Sequence, residues 1–157
     1  MRLYFFRHAI AQDPDGIILD QDRALTNEGI LRTRRSARLI KMLGVVPDHL
    51  YSSPLLRARQ TAEILAITLG VAVQVREEVA PGFNRAAVER LTHDLGHDAE
   101  VMFIGHEPDF STTICELTGA RVEVKKGSLF RVDLACYQPL EGNLTLALSP
   151  KVFQRLG

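Results

Sequence analysis

The sequence predicts a three-layer α/β/α sandwich built on a mainly parallel mixed sheet. Short apolar runs rich in β-branched and aromatic residues alternate with segments of helical pattern through most of the chain. Such alternation implies right-handed βαβ units, whose parallel strands need cover on both faces. The last two apolar runs are separated only by Pro-Leu-Glu-Gly-Asn at 139–143, so they are expected to pair as an antiparallel hairpin.

The expected strands lie at 3–6, 49–52, 71–75, 101–104, 129–137 and 144–148. The first helix, 27–43, follows Thr26, whose hydroxyl suits an N-cap, and stops at Gly44. The second, 54–69, has Ser53 as N-cap, Pro54 at its first position and Gly70 after its end. Two shorter helices, 84–95 and 108–117, each precede a glycine, Gly96 and Gly119. There is no internal repeat, low-complexity tract or linker, and 157 residues can bury a core, so one domain over 1–157 is expected.

Composition removes several classes of function. Hydrophobic residues at 46% and charged residues at 24% are ordinary for a globular chain and argue against disorder. Lys+Arg and Asp+Glu are 19 each, so the net charge is zero, which disfavours general binding to nucleic acid or to an anionic membrane. Cys115 and Cys136 are too few for a disulfide framework or a cysteine zinc site. No apolar run reaches the ~20 residues of a membrane span. The opening Met1-Arg2-Leu3-Tyr4-Phe5-Phe6-Arg7-His8 lacks the apolar core and cleavage site of a signal peptide. A cytoplasmic, reduced, monomeric protein is expected.

In an open α/β sheet, ligands bind beyond the carboxyl ends of the strands. The first strand runs into Arg7-His8, the second into Ser52-Ser53 and a helix carrying Arg57, and the fourth into Gly105-His106-Glu107-Pro108. Two of these ends lead directly into helix N-termini, which favour anions. Two arginines and two histidines at one place suit a dianion with several oxygens, because each guanidinium offers a planar fork to phosphate. A neutral imidazole can also attack phosphorus. The chemistry implied is phosphoryl transfer through a covalent intermediate. Any one of these residues alone reads as surface or capping; the joint pattern carries the inference.

At these residues the chain resembles the histidine phosphatase (phosphoglycerate mutase-like) superfamily. Arg7-His8-Ala9-Ile10-Ala11 resembles its Arg-His signature, in the form found in the small SixA-type branch. Arg23-Ala24-Leu25-Thr26-Asn27-Glu28-Gly29, Ser53-Pro54-Leu55-Leu56-Arg57-Ala58-Arg59-Gln60-Thr61 and Gly105-His106-Glu107-Pro108 resemble three further segments of that branch, in order. The resemblance implies a phosphoglycerate mutase-like fold and a phosphoryl acceptor at His8. It also implies phosphate contacts from Arg7, Arg57 and His106, and neither metal nor cofactor. The implied partner is a phosphohistidine-bearing protein of a phosphorelay, or else a small phosphoester. A module that binds phosphorylated partners without turnover is the rival from another class, and His8 argues against it.

The proton donor stays open between Glu107, Glu77, Glu78 and none. Glu107 reads either as the donor or as a charge at a helix N-terminus. The chain is too short for the inserted lid of the mutases, so an open site is expected. Three weaker signals are set aside. Cys115 and Arg121 have the spacing of cysteine-dependent phosphatases, but Cys115 falls late in a helix and reads as a packed thiol. His93 and His97 have helical metal spacing, yet Gly96 interrupts and no third ligand is near. The helix 27–43 carries Arg32, Arg34, Arg35, Arg38 and Lys41. It reads as a solvated face or, functionally, as a docking surface for an acidic protein.

Overall fold

In the computed structural model, which describes residues 1–14 and 16–156, the expected alternation is present. The elements are β1 (Arg2–Arg7), α1 (Asn27–Met42), β2 (His49–Ser52), α2 (Leu56–Leu69), β3 (Val73–Val75) and α3 (Arg85–Thr92). They continue with β4 (Glu100–Gly105), α4 (Asp109–Thr118), β5 (Leu129–Tyr137), β6 (Leu140–Leu148) and α5 (Pro150–Leu156). One sheet holds the strands in the order β3-β2-β4-β1-β5-β6. The first four run parallel, β5 pairs antiparallel with β1, and β6 pairs antiparallel with β5. The architecture is the α/β/α sandwich with a mixed sheet that the sequence predicts.

The period-2 geometry of a strand divides the core. Tyr4, Phe6, Leu50, Met102 and Ile104 face one way and pack with Ala37 and Ile40 of α1, Ala62 and Leu65 of α2, and Phe153 of α5. Their neighbours Leu3, Phe5, Tyr51, Val101 and Phe103 face the other way, against Val88 of α3 and Phe110 and Ile114 of α4. With both faces covered, the central strands read as unbroken apolar runs. Each fully buried large side chain contributes roughly 1.5–3 kcal/mol. No helix among the described residues is long and apolar enough to cross a membrane.

The ends of several elements differ from expectation. The third strand begins at Val73, not at 71, and α2 begins at Leu56, not at Pro54. Ser53 does not cap that helix: its hydroxyl accepts from Leu55 N at 3.3 Å in the turn before it. The final hairpin is tighter than predicted. Gly142 and Asn143 look like turn residues, yet they pair with Leu134 and Asp133, and irregularities in β5 absorb the mismatch. A Cβ at Gly142 would come within 2.5 Å of the Asp133 carbonyl, so the strand needs glycine there. The unforeseen α5 is seven residues long with only Phe153 buried, too short for periodicity to reveal.

Thr26 caps α1 as expected, accepting from Gly29 N at 3.0 Å. The same turn presses against the loop that leaves β1: Thr26 N donates to Ile10 O at 3.0 Å. A Cβ on Gly29 would lie 2.1 Å from that carbonyl oxygen. Gly29→Ala is therefore expected to cost about 1–3 kcal/mol by overpacking, lowering Tm by several degrees. Gly96→Ala, which meets nothing within 4 Å, is the matched control. Equal melting temperatures for the two variants would contradict the packing argument.

Candidate active site

Register brings the candidate residues together. Arg7 of β1 lies opposite Gly105 of β4, and Ile104 opposite Ser52 of β2. Ser53 continues the row of Arg7 and Gly105, and His8 and His106 form the next, held by His8 N donating to Gly105 O and Ser53 N donating to Ile104 O, each at 3.0 Å. The two imidazoles are buried, with ring centroids 5.2 Å apart. Arg57, in the first turn of α2, is only 6% exposed. Arg7, His8, Arg57 and His106 line one pocket.

The other motif residues hold this row in place. Ala9 N donates to Thr61 Oγ1 at 3.1 Å, and that hydroxyl donates to Arg57 O at 2.7 Å. The loop bearing His8 is thus tied to the helix bearing Arg57. Leu25 N donates to Gln60 Oε1 at 2.7 Å, linking the same helix to the approach of α1.

The hydrogen bonds select a tautomer for His8. Its Nδ1 lies 2.8 Å from Ala9 O, and a carbonyl only accepts, so Nδ1 carries the proton and Nε2 keeps its lone pair. Burial pushes the His8 pKa down to about 3, despite the Ala9 contact, and the charges of His106, Arg57 and Arg7 push the same way. His106 is lowered to about 4 by burial first, then by Arg57 and Arg7, with Asp20 pulling the other way. Its Nε2 is 2.7 Å from Ser53 Oγ. Both rings are neutral near pH 7.

The cations are held but not satisfied. Arg7 Nη1 donates to Val124 O at 2.8 Å. Arg57 donates to Asp20 through Nη1 to the carbonyl, at 2.6 Å, and through Nη2 to Oδ2, at 3.0 Å. The Nε atoms of both arginines and Nδ1 of His106 are buried without a partner. Buried polar atoms without partners are costly in a folded protein, and these three belong to residues around one pocket; Thr113 Oγ1 on α4 is a further such atom, outside it. An oxyanion would bring the negative charge and the acceptors that this cluster lacks.

Glu107 lines the same pocket, and its carboxylate is also a brace. Its Oε1 accepts from Val124 N at 3.1 Å, and its Oε2 accepts from Ser111 N at 3.3 Å and Ser111 Oγ at 2.7 Å. The carboxylate therefore ties the start of α4 to the segment that holds Arg7. Glu77 and Glu78 lie in a 3₁₀ turn, and neither is among the residues lining the pocket. Three charged lining residues were given no role by sequence reasoning: Arg23, Lys126 and Asp109, whose carboxylate accepts from Gly82 N at 2.9 Å. Asp20 also went unnoticed; it lies in a second 3₁₀ turn that carries no periodic signal.

The signals set aside lie elsewhere. Cys115 is a half-buried free thiol on α4, outside this pocket. His93 pairs with Asp94 at 2.7 Å, and His97 stacks on Tyr137 with centroids 4.1 Å apart. On α1, Arg34, Arg35, Arg38 and Lys41 are exposed, while Arg32 is paired with Glu28.

The two histidines make a prediction about acid stability. Each binds a proton more weakly when folded than at its ordinary pKa of 6.5. Between 6.5 and about 3 for His8, or about 4 for His106, the unfolded chain takes up more protons, so stability falls as pH falls. Tm measured from about pH 7 down to about pH 4 is expected to drop less steeply in His8→Asn/His106→Asn than in the wild type. Identical slopes would mean that the rings are not buried in neutral form.

Comparison with known proteins agrees with this geometry. The family model described as histidine phosphatase superfamily (branch 1) matches residues 3–81, the half that holds Arg7, His8 and Arg57. A protein of Picosynechococcus sp. with no described activity is 39% identical over 163 aligned residues, covering 96% of this chain and 98% of its own. The structure of the protein histidine phosphatase SixA complexed with tungstate superposes with a TM-score of 0.85 at 25% identity, covering 97% of this chain and 99% of that one. A mycobacterial glucosyl-3-phosphoglycerate phosphatase in complex with VO3 shares the fold at a TM-score of 0.73 and 16% identity, covering 92% and 97%. With these matches and the Arg7-His8 and Gly105-His106 strand ends side by side, the chain belongs to the histidine phosphatase superfamily, in its SixA-type branch.

Proposed function

We propose that this protein is a metal-independent phosphatase that takes a phosphoryl group onto His8 and passes it to water, with phosphohistidine on a signalling protein as its substrate. The observation that carries the reading is the state of His8: a neutral ring, protonated on Nδ1, with the Nε2 lone pair free beside two arginines. In the first step Nε2 attacks phosphorus, the P–Nε2 bond forms and the bond to the leaving group breaks. In the second, water attacks phosphorus, gives up a proton to solvent, and the P–Nε2 electrons return to the ring. Arg7, Arg57 and His106 hold the phosphoryl oxygens and oppose the charge that builds in each transition state.

The substrate assignment rests on the leaving group. An alkoxide must be protonated as it departs, which calls for a positioned acid. The imidazole of phosphohistidine can take a proton from water on its other nitrogen beforehand and leave as a neutral ring. Glu107, the acid adjacent to His106, already accepts three hydrogen bonds, which favours the substrate that needs no dedicated acid. The likeness to SixA, named as a protein histidine phosphatase, supports the same choice. The reading places a monomeric enzyme in the cytoplasm, where Cys115 and Cys136 stay free thiols.

The decisive experiment compares kcat/KM on a phosphohistidine protein and on small phosphoesters. Wild type quenched during turnover is expected to carry acid-labile phosphate on His8, and His8→Ala none. Arg7→Ala or Arg57→Ala removes a charge-assisted contact of about 1.5–3 kcal/mol and is expected to lower kcat/KM by at least roughly ten-fold. Phosphate trapped on Cys115, or activity lost to EDTA and restored by Mg²⁺, would overturn the mechanism. Rapid turnover of an alkyl phosphate with phosphohistidine untouched would move the substrate to the small-ester class.

Glu107→Gln separates brace from acid. A brace predicts a lower Tm and a similar loss of kcat/KM on every leaving group, because the Arg7 segment loosens. A loss that grows with leaving-group basicity, reaching ~10²–10⁴-fold on alkyl phosphates, would make Glu107 the acid instead.

A further inference from the structure

A second concavity adjoins the active site and shares Arg7 and Lys126 with it. It runs past Ile10, Arg32 and Lys125 to Pro150 and Lys151 at the start of α5. A hollow beside it, which also includes Ile10, Arg32 and Lys126, extends it to Arg35 on α1. Its floor is partly apolar, with Phe130, Ala147 and Pro150. The charge is one-sided. Arg7, Arg32, Lys125, Lys126 and Lys151 line it against the single acid Glu123. Glu28 occupies Arg32, and Glu123 occupies Lys125 at 3.3 Å. Among the described residues, Lys126, Lys151 and Arg35 make no ion pair; Lys151 and Arg35 are exposed.

We propose that this groove docks an acidic segment of the phosphorylated partner protein and feeds the phosphorylated side chain to His8. The inference builds on the phosphatase reading above and names what its partner must present. Three observations favour an acidic protein segment as the occupant. The chain as a whole carries no net charge, so this cationic groove is a local concentration and not part of a general anion-binding surface. Phe130, Ala147 and Pro150 line the groove together with the cations, as suits a folded or extended segment with apolar anchors among acidic side chains. Finally, Arg7 and Lys126 belong to both concavities, so the bound segment lies directly beside the pocket that receives its phosphate. Binding in the groove then supplies the orientation that a lid supplies in a closed active site.

The test reverses charge at the far end of the groove, away from the catalytic pocket, with Arg35→Glu/Lys151→Glu. Three probes are used: 4-nitrophenyl phosphate, a phosphohistidine peptide with Glu and Asp flanks, and the same peptide with Gln and Asn flanks. Wild type is expected to prefer the acidic peptide, with a preference that weakens as salt rises. The variant is expected to melt as wild type does and to keep its rate on 4-nitrophenyl phosphate within about two-fold. It is expected to lose roughly ten-fold or more in kcat/KM on the acidic peptide, mainly through KM. Equal losses on both peptides, or no loss on the acidic one, would overturn the proposal.

Fluorescence anisotropy with the unphosphorylated acidic peptide reads docking without turnover. Binding that the double variant loses would support the groove even if phosphohistidine proved not to be the substrate. Absent binding would reject the groove while leaving the His8 chemistry standing. Phosphatidylserine vesicles complete the set, since capture by vesicles in place of the acidic peptide would assign the groove to a membrane and reject the proposal.

Discussion

The alignment of the carboxyl ends of β1, β4 and β2 is the constraint on which the rest of the site depends. Because β4 lies between the other two, His106 is set between His8 and the Ser53 turn that leads to Arg57. A slip of one residue in either pairing would send these side chains to the opposite face of the sheet. The register is fixed from below by two packed faces. Leu3, Phe5, Val101 and Phe103 are buried on one side, and Tyr4, Phe6, Met102 and Ile104 on the other. Hydrophobic burial on both faces thus specifies, at a distance, the spacing of polar groups at the strand ends.

That arrangement opposes folding at the site itself. Arg57 is buried and Arg7 half-buried, each with an unpaired, inaccessible Nε, and two imidazoles are kept neutral by burial. Such a cluster is destabilising in isolation and persists because the surrounding core outweighs it. In the proposed mechanism the compensation is functional. Donors already oriented and partly desolvated need no reorganisation when a phosphoryl group reaches them. The contact from Asp20 fits this picture: it holds the outer edge of the Arg57 guanidinium from a largely exposed position. Arg57 and Arg23 together keep the Asp20 carboxyl below its ordinary pKa, although its partial burial alone would raise it.

The legible part of the site was the part covalently attached to strand ends. Leu3–Phe6 reads as a buried strand, and Arg7 and His8 follow it directly; the same logic located His106 and Arg57. Residues contributed by irregular segments left no comparable trace. Lys126 lies between α4 and β5 in a stretch with no periodicity, and Asp20 lies in a short turn. Glu107 shows a different limit. Adjacency to His106 says that its backbone is near the site, but not where its side chain goes. The carboxylate is turned to Ser111 and Val124, one on the helix it precedes and one on a distant loop. Side-chain direction at a helix entry is set by whichever donors the tertiary fold presents, and those are not local in sequence. The same holds for α5, which owes its place to Phe153 packing near Phe6 and not to its own seven residues.

On the proposed reading, the pocket and the groove divide the work in a way that follows from the chemistry. A phosphoryl group looks much the same on any carrier, so contacts from Arg7, Arg57 and His106 cannot distinguish one phosphorylated protein from another. Discrimination has to come from surface beyond the phosphate, and the cationic strip that begins at Lys126 and Arg7 is continuous with the pocket. Contacts made there are equally strong before and during phosphoryl transfer, so they act on KM and on encounter, not on the barrier. In the proposed mechanism Arg7 and Arg57 act on the barrier, because the transition state presents more charge to them than the bound substrate does. Beyond the shared Arg7 and Lys126, exposed residues such as Arg35 and Lys151 would let partner choice vary without disturbing the register that sets His8 against His106.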